Sequence, residues 1–199
     1  MSNQLKRNHI LILIVVAMSV IPFAIAWLMA KNPEWLSGKY TNHGELIVPP
    51  VVTERSELTG FDAFSRDNLS QLNGRWVMIN IIPGNDCNPD CLAAIHSSKQ
   101  LHLMMGKDLT RIRRVVWLLE PVDPARAARW WADDLRLLRA RPAATLQKKL
   151  LDIRKGEIPD GLLLLMDPFG NLMMQYEPGF DPYDVKADLK RLLRISQIG

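Results

Sequence analysis

Thiol and imidazole are both scarce in this chain of 199 residues, which holds 2 cysteines and 4 histidines. The histidines (His9, His43, His96 and His102) are scattered, which argues against a closed four-ligand zinc site. Glycine-rich phosphate loops, internal repeats, low-complexity tracts and a serine, histidine and acid series are all lacking. An excess of one charge is lacking as well. Only Lys6 and Arg7 of the 25 basic residues precede residue 31, and 21 acidic residues offset the others. That near-neutral balance argues against a nucleic-acid partner, and the overall pI near 9.2 carries little weight.

Charge is missing altogether from Ile10 to Ala30, an apolar run long enough to cross a bilayer, which takes about 20 residues as a helix. Pro22 would kink such a helix without excluding it from the membrane. Ala24-Ile25-Ala26 resembles a signal-peptide cleavage site, but Trp27-Leu28-Met29 prolongs the run, which favours an uncleaved anchor. Lys6 and Arg7 before the span keep the tail inside and send the remainder out. The expected organisation is a cytoplasmic tail over 1–9, a transmembrane helix over 10–30, a tether and lead-in over 31–68, and a folded domain over 69–199.

Turn signals at Asn32-Pro33, Ser37-Gly38, Asn42-His43-Gly44 and Pro49-Pro50 mark the lead-in, with a short strand predicted at Glu45–Val48 and ended by the prolines. Apolar runs at 75–82, 115–119 and 162–166 read as strands buried on both faces. Asp167–Asn171 is a hairpin turn and Leu172–Tyr176 its returning strand. Helices are predicted from Pro89 to Gly106, from Pro124 through Ala127, Trp130, Trp131, Leu135 and Leu138, over Thr145–Ile153, and after Asp181-Pro182 with Val185, Leu189, Leu192 and Leu193 inward. That order of elements is α/β and thioredoxin-like, with two parallel strands joined by helices, then an antiparallel hairpin and a closing helix.

Cys87 and Cys91 fall where the first core strand hands over to its helix. Asn88-Pro89 reads as cap and first helical residue, which leaves Cys87 outside the helix and Cys91 in its first turn. Partial positive charge at the helix start favours a thiolate, whereas Asp86 and Asp90 oppose it. Cys87 is expected to be the sulfur open to attack. Three chemistries fit the pair: thiol–disulfide exchange, two-thiolate capture of Cu(I), or a passive staple. A staple across so short a loop would remove little chain entropy.

Other residues read more plainly. His96 does not share a helix face with Cys91, and most of the nine methionines fit core patterns. Of the neighbours Trp130 and Trp131 only one can face the core. Arginines 111, 113, 114, 126, 129, 136, 139 and 141 most simply form solvated faces, with attraction to anionic lipid or an acidic partner as the weaker idea.

Gly84-Asn85-Asp86-Cys87-Asn88-Pro89-Asp90-Cys91 after a buried strand resembles the CxxxC site of the SCO/SenC family, membrane-tethered thioredoxin-like proteins that help assemble the copper centre of cytochrome c oxidase. Asp167-Pro168-Phe169-Gly170-Asn171 is similar to that family's late D/N-P-x-G turn. The chain resembles still more a divergent branch of short bacterial transmembrane proteins linked to oxidase biogenesis, through Gly44-Glu45-Leu46-Ile47-Val48-Pro49-Pro50 and the hairpin from Asp167 to Tyr176. The resemblance implies Cys87 and Cys91 as the catalytic pair or as Cu(I) ligands. It implies an oxidase subunit or another assembly factor as partner, and a periplasm-facing domain anchored in the inner membrane. One ligand of the family pattern is missing. Its copper-binding histidine would fall at or beside Pro159-Asp160, and no histidine follows His102.

Overall fold

The computed structural model describes residues 2–32 and 41–196. Two compact units divide the chain between Thr41 and Asn42. In the first, helix α1 (Ser2–Lys31) runs through the expected tail as well as the apolar segment, and its stretch Leu11–Lys31 is long and apolar enough to cross a membrane.

The second unit is built on a seven-stranded sheet. Its strands are β1 (Glu45–Val52), β2 (Leu58–Gly60), β3 (Trp76–Ile82), β4 (Ile112–Leu118), β5 (Leu138–Pro142), β6 (Leu163–Met166) and β7 (Asn171–Tyr176), in the spatial order β1-β7-β6-β3-β4-β5-β2. β3, β4 and β5 are parallel, and the remaining pairings are antiparallel. β3 is buried at every position, as a central strand covered on both faces must be.

Side-chain alternation splits the core into layers. Val77, Ile79 and Ile81 point with Val115 and Trp117 toward Leu146 and Leu150 of α5 (Ala144–Ile153). Trp76 and Met78 point the other way, toward Leu101 of α3 (Pro89–Met104) and Val185, Leu189 and Leu193 of α6 (Pro182–Ile195). A third cluster lies at the end of β3 and β4, where Ile82, Val116 and Leu118 meet Cys87, Cys91, Ile95 and Trp131.

Three expectations are corrected. First, the segment assigned to a lead-in before residue 69 supplies β1, β2 and the short helix α2 (Ala63–Asn68), so the folded unit begins at Asn42. β1 continues through Pro49-Pro50 because it is an edge strand, where a missing amide hydrogen costs no ladder bond, and its pairing with β7 is irregular between Leu46 and Val51. Second, the helix expected from Pro124 to Leu138 is only α4 (Pro124–Ala127) plus a 3-10 turn over Ala128–Trp131, and Leu138 opens β5. Third, the arginines are not simply solvated. Arg114 is buried against Asp134, and Arg139 is buried against Asp62 at 2.8 Å.

Arg114 sits in a buried polar network. Its guanidinium donates to the Ser98 hydroxyl and the Ile95 carbonyl, and Ser98 Oγ donates to Asn80 Oδ1 at 2.6 Å. Strand β3, helix α3, strand β4 and the turn before β5 are joined through these few atoms. A second network fixes β1. Asp188 of α6, 2 % exposed, accepts from the amides of His43 and Gly44 and from the Tyr176 hydroxyl at 2.9–3.0 Å. A Cβ at Gly44 would stand 2.6 Å from the Tyr176 ring, so the motif needs a glycine there for space.

Candidate redox site

Strand β3 ends at Ile82, the chain bends through Pro83–Asp86, and α3 starts at Pro89. Asn88 is the cap, as expected: its Oδ1 accepts from the Cys91 amide at 2.9 Å. The cap places Cys91 one turn into α3 and Cys87 just before it, with Cα atoms 5.3 Å apart and the sulfurs joined as a disulfide. That separation lies inside the range a disulfide spans, about 4.4–6.8 Å.

The pair is less open than its loop position suggested. Cys87 is 6 % exposed and Cys91 1 %, although residues 85, 86 and 88–90 around them are exposed. Both sulfurs pack into the cluster with Ile95, Val122 and Trp131. Cys87 is the less covered of the two, by a small margin.

Two partners of the cysteine turn come from far along the chain. Asp86 Oδ1 accepts from the Cys87 amide at 2.9 Å, and its other oxygen pairs with Arg126 of α4. The ion pair offsets one of the two flanking acids. Asp160, in the loop before β6, accepts from Asn88 Nδ2 at 3.0 Å. A continuous chain of bonds thus runs from the Asp160 carboxylate through the Asn88 side chain to the Cys91 amide. Burial, and then the charges of Asp90 and Asp86, push the Asp160 carboxyl above the usual carboxylate range. Its Oδ1 is buried with no partner. Next to it Gly161 has a positive φ of 87°, and a Cβ there would sit 3.1 Å from the Asp90 carbonyl oxygen. The tight approach brings residues 160–161 against the first turn of α3.

The other candidates lie elsewhere. His96 is exposed on α3 and bonds Gln100. His102 is buried, with Nε2 facing the carbonyls of Leu109 and Ile112, and burial pushes its pKa down. His43 faces Asp184 at 3.2 Å. Trp131 is buried beside the cysteines while Trp130 is half-exposed, their rings edge-to-face at 5.6 Å. Met105 and Met174 fill the core. Among the described residues no group of three histidine, cysteine or acidic side chains is arranged to hold a metal ion.

Sequence reading located the cysteines and the cap, and the family resemblance pointed to the Pro159-Asp160 position. It gave no sign of Arg126, which is 40 residues from Asp86, or of the bond between Asn88 and Asp160.

Comparison with known proteins agrees with this architecture. The structure of apo Sco1 from Thermus thermophilus aligns with a TM-score of 0.54 at 16 % identity, covering 78 % of this chain and 99 % of that one. Yeast Sco1 aligns with a TM-score of 0.50 at 12 % identity, over 64 % and 84 % of the two chains. BsSco, described as a member of the Sco family of cytochrome c oxidase assembly proteins, aligns with a TM-score of 0.48 at 16 % identity, over 64 % and 85 %. No curated protein matches the chain. The fold is the thioredoxin-like fold of the Sco proteins. A family model described as "Transmembrane-like, thioredoxin-like, C-terminal domain" matches residues 76–196, from the first residue of β3 to the end of α6, and the chain belongs to that family.

Proposed function

We propose that this protein is a membrane-anchored, periplasm-facing assembly factor for respiratory cytochrome c oxidase that acts by thiol–disulfide exchange on a copper-binding subunit. The observation that carries the chemistry is the Cys87–Cys91 disulfide at the junction of β3 and α3, with the outer sulfur the less covered one. The client class rests on the sequence resemblance to the SCO/SenC family.

In the oxidised protein a client thiolate attacks Sγ of Cys87. The Cys87–Cys91 bond breaks, and Cys91 leaves as a thiolate at the amino-terminal end of α3, where unpaired amides favour negative charge. A second client thiolate then attacks the client sulfur of the mixed disulfide and releases the Cys87 thiolate. Two electrons have passed from the client dithiol to the pair. Run in reverse, Cys87 attacks a client disulfide, and Cys91 resolves the mixed disulfide. Cys87 is nearly covered, so attack on it requires the side chains packed against it, Val122 and Trp131 among them, to give way.

The donor set for copper departs from the resemblance. The position where the resemblance would put imidazole carries the Asp160 carboxylate, a hard oxygen donor that suits Cu(I) poorly. The rival without chemistry takes the burial of both cysteines as its support and makes the pair a staple in a domain that only binds its partner.

Cys87→Ser and Cys91→Ser, singly and together, separate these readings. Exchange predicts loss of oxidase maturation in cells that carry the anchored variants, and a mixed disulfide trapped by Cys91→Ser alone. Unchanged oxidase activity with a folded double variant would leave only the staple. Retention of Cu(I) by the reduced wild-type chain against a competing chelator would restore a metal role.

A further inference from the structure

The opposite end of the parallel strands carries a cleft that the redox chemistry does not use. Its volume is about 470 Å³, and its lining includes Phe64, His102, Leu109, Arg113, Leu135 and Arg136. Arg113 is the second residue of β4 and pairs in register with Val77 of β3. Leu138 of β5 pairs with Val115, which sets Arg136 two residues upstream, level with Arg113. Arg75 immediately precedes β3.

These three guanidiniums share a small region without compensation. Arg113 Nη1 donates to the carbonyls of Thr110 (3.2 Å) and Ile112 (2.9 Å), and Arg75 bonds the same Thr110 carbonyl. Among the described residues none of the three has a carboxylate within 4.0 Å, and Arg113 Nε is buried without a partner. Burial and then the charges of Arg75 and Arg136 hold the Arg113 guanidinium below its ordinary basicity. His102 adds no positive charge, because burial keeps its imidazole neutral and two carbonyls require Nε2 to carry its hydrogen. An oxyanion in the cleft would relieve the repulsion, and planar guanidiniums suit phosphate oxygens.

The walls select further. Leu135 is 84 % exposed and Phe64 41 %, beside half-buried Leu109, so the fitting ligand is an anion with an apolar body. A source lies close by in the chain itself. Asn32 follows the apolar helix and Thr41 precedes the folded unit, and the eight residues between them extend over about 30 Å at most. A membrane that holds the helix therefore keeps the folded unit near a lipid surface.

We infer that the arginine cleft binds the phosphate of an anionic phospholipid, with Leu135 and Phe64 against its glycerol and acyl chains. The inference rests on the membrane-anchor reading and is independent of the redox chemistry.

The full chain carrying Gln71→Cys has one free thiol, since both native cysteines are bonded to each other. A polarity-sensitive fluorophore on that thiol, at the rim of the cleft, reports its occupancy in nanodiscs. In discs containing phosphatidylglycerol the emission shifts to the blue relative to all-phosphatidylcholine discs. Arg113→Gln with Arg136→Gln abolishes the shift, and Arg136→Gln alone, on an exposed residue, reduces it in a protein whose fold is not at risk. Equal emission in the two disc types would overturn the inference. An emission change on adding inorganic phosphate at matched ionic strength that is the same in both disc types would assign the cleft to a soluble oxyanion and overturn the lipid source. A shift in neutral discs that grows with protein concentration would mean a second copy of the chain and overturn it equally. Co-elution of protein with discs is scored separately, so failure of the anchor is told apart from failure of the cleft.

Discussion

Where β3 ends, two acids beside the disulfide have partners: Asp86 pairs with Arg126, and one oxygen of Asp160 accepts from Asn88. Where β3 begins, Arg75, Arg113 and Arg136 crowd together with no carboxylate within reach among the described residues. Both ends belong to one sheet and are separated only by the length of its strands. The first end holds the buried disulfide between Cys87 and Cys91. The unpartnered end keeps an attraction for something outside the chain. On the proposed function and the proposed lipid site, each task would occupy its own edge of the sheet.

The largest expected effect concerns the first edge alone. Cys87→Ser/Cys91→Ser abolishes exchange with a dithiol substrate, read by the appearance of substrate disulfide, while the cleft label keeps its lipid response. Loss of both responses together would show that the two edges are not separate.

A second perturbation strikes the structure between them. Asp134→Ala leaves Arg114 buried and uncompensated, 2 % exposed, with its hydrogen bonds to Ser98 and Ile95. Breaking such a pair costs about 3–5 kcal/mol, a large part of the roughly 5–15 kcal/mol that a domain has. Denaturant unfolding should show a lowered midpoint with an unchanged slope. A loss under about 1 kcal/mol would mean that water reaches Arg114 and that the network does not join β3, α3 and β4.

Gly44→Ala tests the attachment of β1, far from both edges in chemistry. The added methyl meets the Tyr176 ring at 2.6 Å and Met174 at 2.8 Å. Overpacking of this kind costs about 1–3 kcal/mol. Exchange and lipid response should both persist in the folded fraction, which makes the variant a control for general destabilisation.

What the sequence disclosed and what it hid follow the same physics. β6 is an uninterrupted apolar run and β3 is one broken only by Asn80, and burial on both faces writes itself into consecutive residues. Asn88-Pro89 announced the start of α3 because a cap and a first-turn proline are local requirements. β5 was hidden because its alternate positions are arginines, of which Arg141 is exposed and Arg139 is buried only through Asp62 and Ser65, residues far away in sequence. Its leading Leu138 also fell in helical step with Ala127, Trp131 and Leu135. The cysteines were legible as a pair, but their near-complete burial depends on Ile95, Val122 and Trp131 closing over them. The Asp160 contact was legible only as a position where a histidine was expected.

Asp160→Asn gives the smallest effect and the most specific one. The folded state raises the Asp160 pKa, so it binds this proton more tightly than the unfolded chain does. Stability from this group is therefore present at low pH and is lost as pH rises from the unfolded carboxylate value through the raised folded one. An asparagine has no proton to lose and still offers an oxygen to Asn88 Nδ2. The variant should match the wild type below the ordinary carboxylate range, where Asp160 keeps its proton folded or unfolded, and exceed it in melting temperature at pH 7. Removing the negative charge also favours the Cys91 thiolate, so the reduction potential of the pair should rise, by about 30 mV if the effect is tenfold in the equilibrium constant. Asp160→Glu, which keeps the charge, should leave the potential close to wild type. Parallel melting curves for Asp160→Asn and wild type across this pH range, with equal potentials, would mean that the carboxylate is already screened by solvent. The bond to Asn88 would then hold the turn without tuning its sulfur.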